Sequence, residues 1–280
     1  MKKFFLILIL FLLTNSYPQN KFEFFPSGLN FTPLKANNMD AKIGLNYFPE
    51  NINMKIDIGN NIDLVEFKVS DRERLTAGIE FLAYALSRSY QDKRLQIDAV
   101  DGFFGGNISY SKKIEDNLLS GRLSIVHNSA HLVDGHWDFR NNRWIDNYKP
   151  VPYAKDFAEL LAAYTFNINL TSLRTYTGIA YSFLIRPSDM KRLNIEAGFE
   201  VGVSSLFGRN VVPFIAHDFS LSGTAAYQGN NNSLVGIKLG EWEGKGILLF
   251  ISYYNGYDVF HSYYKRKVER FGFGFTVDFL

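Results

Sequence analysis

Two histidines and a serine alternate along one short stretch of the chain, at His127, Ser129 and His131. In an extended strand every second side chain shares a face, so neighbours in this group would lie about 7 Å apart, a gap that rotamer changes can close. A serine becomes a nucleophile when a base takes its proton, and a third group must orient that base. Asp134, three residues past His131, and Asp156 are the candidate orienting acids. The stretch therefore predicts a catalytic Ser/His/Asp group.

Other interpretations of this stretch stay open. Histidine and serine are common where membrane proteins meet lipid headgroups, and Trp137, Trp144 and Tyr148 are residue types of that interface. The group would then be structural, would contact a ligand, or would turn into a lumen at a β-bulge. The two histidines and Asp134 could also bind a metal, but their spacing lacks the helical or Cys-x-x-Cys geometry of zinc motifs. We therefore expect no metal.

The strands that would position this group are clearest at the end of the sequence. From Glu269 to Leu280 the residues alternate strictly between apolar Phe271, Phe273, Phe275, Val277 and Phe279 and small or polar Gly272, Gly274, Thr276 and Asp278. This pattern is that of a β-strand with one wholly apolar face. Lipid is the simplest cover for such a face, because strands of transmembrane barrels are apolar outside and polar inside.

Similar alternation recurs along the chain. The cleanest further segments are 158–170, 173–185 and 193–204. Weaker ones lie near 40–48, 53–69, 73–87, 93–112, 117–134, 211–222, 232–242 and 246–257. We predict an all-β fold, a transmembrane antiparallel up-and-down β-barrel of about twelve strands. A hairpin turn at Gly59-Asn60-Asn61 would instead split the second segment and leave 40–48 outside the barrel.

The connections between these segments differ in length according to their order. Counted from the first segment, even-to-odd connections are short, whereas odd-to-even connections include the two longest, Gly135 to Pro150 and Asp258 to Lys265. Outer-membrane barrels have short periplasmic turns and long extracellular loops. The sequence thus predicts that the strand carrying His127 runs outward, so that its catalytic group lies at the depth of the outer leaflet.

The beginning of the chain has the features of a secretory signal peptide. Lys2 and Lys3 precede an apolar run from Phe4 to Leu13, and Thr14-Asn15-Ser16 offers a small-x-small cleavage site. We predict a signal peptide over residues 1–16, with cleavage as late as Gln19. Residues 17–39 would form a periplasmic lead-in, or less readily a plug, and residues 40–280 the barrel.

Composition narrows the possible partners. The chain has no cysteine, and removal of Lys2 and Lys3 leaves 28 basic and 28 acidic residues, so a nucleic-acid partner is not expected. Glycine pairs such as Gly105-Gly106 lie in strand context with no helix to cradle phosphate, so we expect no nucleotide and no other cofactor. Inward charges, namely Glu159, Glu196, Glu200, Arg174 and Lys238, predict a narrow polar lumen.

Four further motifs can be compared with known families. They are Phe25-Pro26-Ser27, Phe31-x-Pro33-Leu34-x-Ala36, Arg122…His127-x-Ser129-x-His131-Leu132-x-Asp134 and Tyr254-x-Gly256…Gly272-x-Gly274. In these motifs the sequence resembles the bacterial outer-membrane proteins grouped as domain of unknown function 1207. That family usually has Ser and Gly where this chain has Ala130 and Val133. The resemblance spans nearly all of the mature chain and implies a barrel, without an activity.

A fainter resemblance bears on activity. His127-x-Ser129 is similar to the His-x-Ser pair that lipid A deacylases of the PagL type carry on a lipid-facing strand, where an acidic residue of a neighbouring strand orients the histidine. Those proteins have Asn after the serine, where this chain has Ala130, and a smaller barrel. We therefore interpret the similarity to PagL-type deacylases as convergence on the same geometry.

Together these observations predict a monomeric protein of the cell outer membrane. It would contact lipopolysaccharide and other outer-membrane lipid, and would depend on the barrel assembly machinery for insertion. Its expected reaction is hydrolysis of lipid A or phospholipid esters, with Ser129 as nucleophile, His127 or His131 as base and Asp134 or Asp156 as the orienting acid. The alternative is a non-enzymatic barrel, either a narrow pore or a structural and adhesive protein displaying the 135–150 loop.

Overall fold

A computed structural model describes residues 21–90, 94–131, 133, 137–145, 149–204, 210–223 and 226–279. The predicted signal peptide therefore lies outside the described residues, as do the first residues of the predicted lead-in. No helix in these ranges is long and apolar enough to cross a membrane.

The described residues form fifteen strands. In chain order these are β1 Phe22–Phe24, β2 Ile43–Phe48, β3 Asn53–Ser70, β4 Glu73–Tyr90, β5 Arg94–Ile114, β6 Asn117–His131, β7 Trp137–Asp138, β8 Arg143–Trp144, β9 Tyr153–Ile168, β10 Thr171–Arg186, β11 Leu193–Val203, β12 Val211–Gly223, β13 Tyr227–Gly240, β14 Gly246–Tyr257 and β15 Lys267–Asp278. Two short 3-10 turns lie in the connections between strands, Pro49–Asn51 between β2 and β3 and His261–Tyr263 between β14 and β15.

Twelve of these strands close into one antiparallel barrel. From β2 to β6 and from β9 to β15, each strand pairs with the next along the chain, and β15 pairs with β2 through Phe273 and Tyr47. The predicted antiparallel barrel of about twelve strands is thus confirmed. The hairpin considered at Gly59 is absent, because β3 continues without a break through Gly59. The turn lies instead at Pro49–Asn51, so β2 pairs with β3 and is part of the barrel.

The exterior of the barrel is apolar because the strand alternation is continuous around it. Phe271, Phe273 and Phe275 of β15 are exposed as predicted. Other strands add exposed Ile58, Ile62, Ile79, Phe81, Phe104, Ile108, Leu123, Ile125, Leu160, Ile179 and Tyr181.

The two ends of the barrel differ in the length of their connections. The "turn end" has the tight connections 71–72, 115–116 and 169–170, whereas the "loop end" has the long connections 132–152 and 258–266.

The interior of the barrel is occupied by part of the N-terminal segment. The first described residues of the predicted lead-in form β1, which pairs with β3 at the turn end of the barrel. Residues 25–42, the "lumen segment", then enter the barrel, which corresponds to the plug alternative. Phe31, Leu34 and Ala36 are almost wholly buried there.

Charged groups of the barrel wall hold the lumen segment in place. Arg122 donates to Asp40 at 2.5 Å, and Asn37 donates to Glu196 at 2.6 Å. The Phe31 ring lies 5.0 Å from the Arg122 guanidinium. Alternation predicts the polar wall but not its occupant, because the occupant's residues follow no strand pattern. The five predicted inward charges, Glu159, Arg174, Glu196, Glu200 and Lys238, are all buried.

The last connection folds inward and narrows the loop end. Phe260 and Tyr263 are buried, and Asp258 accepts hydrogen bonds from Arg270 at 2.9 Å and from Arg266. Burial opposes ionisation of Asp258, but the two arginines hold the pKa of its carboxyl below the usual range. The ion pairs that Asp258 forms with Arg266 and Arg270 therefore anchor this connection.

Candidate functional site

The predicted catalytic stretch lies on the outward face near the loop end of β6. Its register against β9 is unbroken from Leu118 to Ala130, so no bulge turns the stretch inward. Asn128 is wholly buried, whereas His127 and Ser129 on either side of it are partly exposed and His131 is exposed. The group therefore faces the same surroundings as Leu123 and Ile125 lower on the strand.

Asp156 of β9 lies directly opposite His127 in the cross-strand register. Oδ1 of Asp156 is 2.5 Å from Nδ1 of His127, and the two side chains are 27% and 38% exposed. A carboxylate at Nδ1 fixes the proton on that nitrogen and leaves Nε2 as the acceptor of the neutral ring. The ring also packs on Phe104 of β5, with centroids 5.2 Å apart. The contacts with Asp156 and Phe104 thus fix the orientation of the His127 ring.

Ser129 makes its own contact with the other histidine. Its Oγ is 3.0 Å from Nε2 of His131, on the same strand. Its cross-strand neighbours are Gly102 of β5 and Ala154 of β9. Since a Cβ placed on Gly102 would meet nothing closer than 4.0 Å, the space beside Ser129 is open. The hydroxyl therefore lies in a notch between two small residues, accessible from outside the barrel.

The structure brings four of the five predicted site residues together as two hydrogen-bonded pairs, His127 with Asp156 and Ser129 with His131. Asp134, the other candidate acid, lies outside the described residues. Within the described part of the chain, no three His, Cys, Asp or Glu side chains are grouped as metal ligands. Phe104, Gly102 and Ala154 are neighbours that no motif in the sequence indicates, because they are defined only by strand register.

A second exterior His–Ser contact gives a useful comparison. Nδ1 of His217 on β12 is 2.9 Å from Oγ of its cross-strand neighbour Ser233 on β13. No carboxylate contact to His217 is present among the described residues. A histidine and a serine can therefore pair on this surface for structural reasons alone, so the feature particular to the β6–β9 group is the carboxylate of Asp156.

Fold and site together define an outer-membrane-type β-barrel with a Ser/His/Asp cluster on its outer surface. The chain belongs to the family described as "Protein of unknown function (DUF1207)", which matches residues 23–279, and this confirms the resemblance found in the sequence. No curated protein is significantly similar in sequence.

Several solved barrels are similar in structure at low sequence identity. The β domain of the Bordetella autotransporter BrkA has a TM-score of 0.43 and 14% identity, covering 86% of this chain and 100% of that one. A TodX deletion mutant, a monoaromatic hydrocarbon channel, has a TM-score of 0.41 and 10% identity over 81% of this chain and 71% of that one. LpxR from Salmonella typhimurium has a TM-score of 0.38 and 10% identity over 81% and 88%.

Proposed function

We propose that this protein resides in the outer membrane and hydrolyses acyl esters of lipid A or phospholipid at the β6–β9 surface. One observation carries the proposal: a carboxylate orients a histidine on the outward face of the barrel, and the same face bears a hydrogen-bonded serine. Polar groups facing lipid are costly, and such groups commonly mark functional sites.

The height of the group on the barrel matches the location of lipid esters. His127 lies ten residues beyond the start of β6 at Asn117. At about 3.3 Å per residue and a strand tilt of roughly 40°, this is about 25 Å along the barrel axis. The apolar band of such barrels is about 25 Å tall, so the group lies at one boundary of the band. With the loop end outside the cell, that boundary is the outer leaflet, where lipid A presents its ester-linked chains.

The reaction we infer is acyl transfer to Ser129 followed by hydrolysis. Oγ of Ser129 attacks the ester carbonyl carbon while its proton passes to Nε2 of His131, the nitrogen it contacts. The protonated ring then gives this proton to the departing alkoxide oxygen, leaving an acyl-serine. Water, deprotonated by the same ring, then attacks the acyl-serine. The bond between the acyl carbon and Oγ breaks, the ring returns the proton to Oγ, and the fatty acid leaves.

His127 and Asp156 have a second role open to them in this reaction. The contact with Asp156 occupies Nδ1 of His127, so Nε2 is the ring nitrogen that can face the substrate. If Ser129 turns toward it, His127 becomes the base and Asp156 stabilises the imidazolium that forms, which is the usual division of roles in a triad. In the conformation described, Ser129 contacts His131, and single substitutions separate the two assignments.

The proposal is tested by mass spectrometry of lipid A and phospholipids from cells producing wild-type protein or single variants. Ser129→Ala should abolish deacylation, a loss of about three orders of magnitude or more, since residues of a catalytic group act as a unit. His127→Ala and His131→Ala identify the base, which is the histidine whose variant shows the same loss as Ser129→Ala. If the base is His127, Asp156→Asn should also impair activity.

Ser233→Ala is the matched control, because it removes an exterior serine that also contacts a histidine but lacks a nearby acid. It should leave lipid composition as in wild type. All variants should assemble, since each makes the outward face less polar, and heat-modifiable mobility in unboiled gels checks this. Identical acylation with wild-type and Ser129→Ala protein would refute hydrolysis and leave a non-enzymatic barrel.

A further inference from the structure

A cavity of about 120 Å³ lies inside the barrel at its loop end, apart from the exterior site. Its floor is formed by Asn37 and Met39 of the lumen segment, and part of its rim by His261 and Tyr264 of the last connection. Its walls come mainly from β9 to β14. A water molecule needs only about 10–15 Å³ of such space, so the cavity can hold a small organic molecule.

A lysine lines one wall of this cavity. Lys155 of β9 lies inside the barrel, where its Nζ is 4.0 Å from Sδ of Met39 and 4.7 Å from the centroid of the Phe157 ring. Among the described residues it forms no salt bridge. Several other inward cations have direct ion pairs, for example Arg122 with Asp40 and Lys35 with Glu200. The carboxylates of Asp101, Glu159 and Glu196 attract the Lys155 ammonium from beyond salt-bridge distance. An anionic ligand in the cavity can therefore form the direct ion pair that they do not.

Two further polar groups of the cavity wall have no hydrogen-bond partner among the described residues. These are the hydroxyl of Tyr153, a residue that is only 3% exposed, and the buried Oδ1 of Asn194. The Tyr153 ring is held by stacking on His261, with centroids 4.4 Å apart. Buried polar groups are normally hydrogen-bonded, so these two atoms are positions at which a bound molecule can supply the missing partner. The hydroxyl can donate to an anion, whereas Asn194 can accept from a ligand hydroxyl.

A second part of the cavity wall favours hydroxyl groups over charge. Asp218 of β12 lines it and accepts from the hydroxyl of Tyr176 at 2.8 Å. Asn230 and Asn232 of β13 lie beside it. A carboxylate there would repel a simple anion but would accept hydrogen bonds from a hydroxylated molecule. The two walls thus differ in the chemistry they favour, cationic at β9 and hydrogen-bonding at β12 and β13.

We propose that this cavity binds a small hydroxylated anion of the sugar phosphate class. The anionic group contacts Nζ of Lys155 and the hydroxyl of Tyr153, and the sugar hydroxyls bond to Asn194, Asp218 and Asn232. The tyrosine rings around the rim supply apolar surface for the sugar ring. This site is independent of the ester-hydrolysing group, which faces the other side of the same wall.

Isothermal titration calorimetry on the purified barrel in detergent tests the proposal with glucose 6-phosphate as probe and glucose as the neutral control. Wild type should bind the phosphate at least about tenfold more tightly than glucose, as expected for a charge-assisted contact. Lys155→Met should remove that preference, Tyr153→Phe should weaken phosphate binding severalfold, and Lys155→Arg should retain most of it.

Lys113→Met, which removes an exposed lysine at the turn end, is the matched control and should bind as wild type does. Heat-modifiable mobility shows whether each variant is folded, and if Lys155→Met did not fold, Tyr153→Phe and Lys155→Arg would still decide the result. Equal binding of phosphate by wild type and Lys155→Met would overturn the proposal. So would equal affinity for glucose and glucose 6-phosphate, or no binding of either.

Discussion

The carboxylate of Glu200 ties the lumen segment to the barrel wall, and neutralising it should release the segment. Oε1 of Glu200 accepts the backbone N–H of Lys35 at 2.5 Å, and Oε2 lies 3.2 Å from Nζ of Lys35. Arg174 is 3.7 Å from the same oxygen, and all three side chains are buried. Glu200→Gln keeps the shape of the side chain but leaves two buried cations without their shared anion.

The size of the effect follows from this burial. Removing one partner of a buried ion pair costs about 3–5 kcal/mol, which changes an equilibrium roughly a hundredfold to several thousandfold. The barrel should persist, because its closure depends on the strand ladders. The population in which the lumen segment has left the wall should therefore rise by that factor.

Planar-bilayer recording measures this change. Wild type should show little or no conductance because the lumen is filled, whereas Glu200→Gln should show frequent openings. Glu23→Gln is the matched control, since Glu23 pairs with Lys68 at 3.1 Å but both side chains are about half exposed, and such pairs contribute at most about 1 kcal/mol. Large stable channels in wild type, or a folded and silent Glu200→Gln, would refute this reasoning.

Two further predictions concern the loop end. A tag inserted between Asn141 and Asn142, in the turn joining β7 and β8, should be reached by antibody on intact cells; labelling only after permeabilisation would invert the topology. The second concerns Asp258, whose pKa lies below its usual range. A depressed carboxyl pKa stabilises the fold above the unfolded value of about 4 and loses this effect as pH falls further. Amides of residues 259–266 should therefore exchange faster at pH 3 than at pH 5 after correction for intrinsic rates, and Asp258→Asn should remove the difference; equal protection in wild type would contradict this.

The outward position of the candidate site was predictable because strand alternation is a local property. His127, Ser129 and His131 follow Leu123 and Ile125 at even spacing, so the face they share is set as soon as the segment is a strand. The choice between Asp134 and Asp156 as partner was not predictable. Asp156 is 29 residues from His127, and its contact depends on the offset between β6 and β9.

The lumen segment shows a different limit. Residues 25–39 are too irregular to predict as strands, and their sequence favours a periplasmic lead-in over a plug. Their position depends on partners far along the chain, such as Arg122 for Asp40 and Glu200 for Lys35. Similarly, His261 appears isolated in the sequence, yet its Nδ1 lies 2.7 Å from the buried carboxylate of Asp101. These contacts require closure of the barrel before they exist.

The sequence by itself determined that the chain forms an antiparallel barrel, which face of each strand is apolar, and that β6 carries a serine between two histidines on the outward side. The tertiary structure decided which acid meets which histidine, what fills the lumen, and that Lys155 faces a cavity. The reason is physical: alternation follows from the two-residue period of a single strand, whereas register and lumen contacts arise only when twelve strands close on each other.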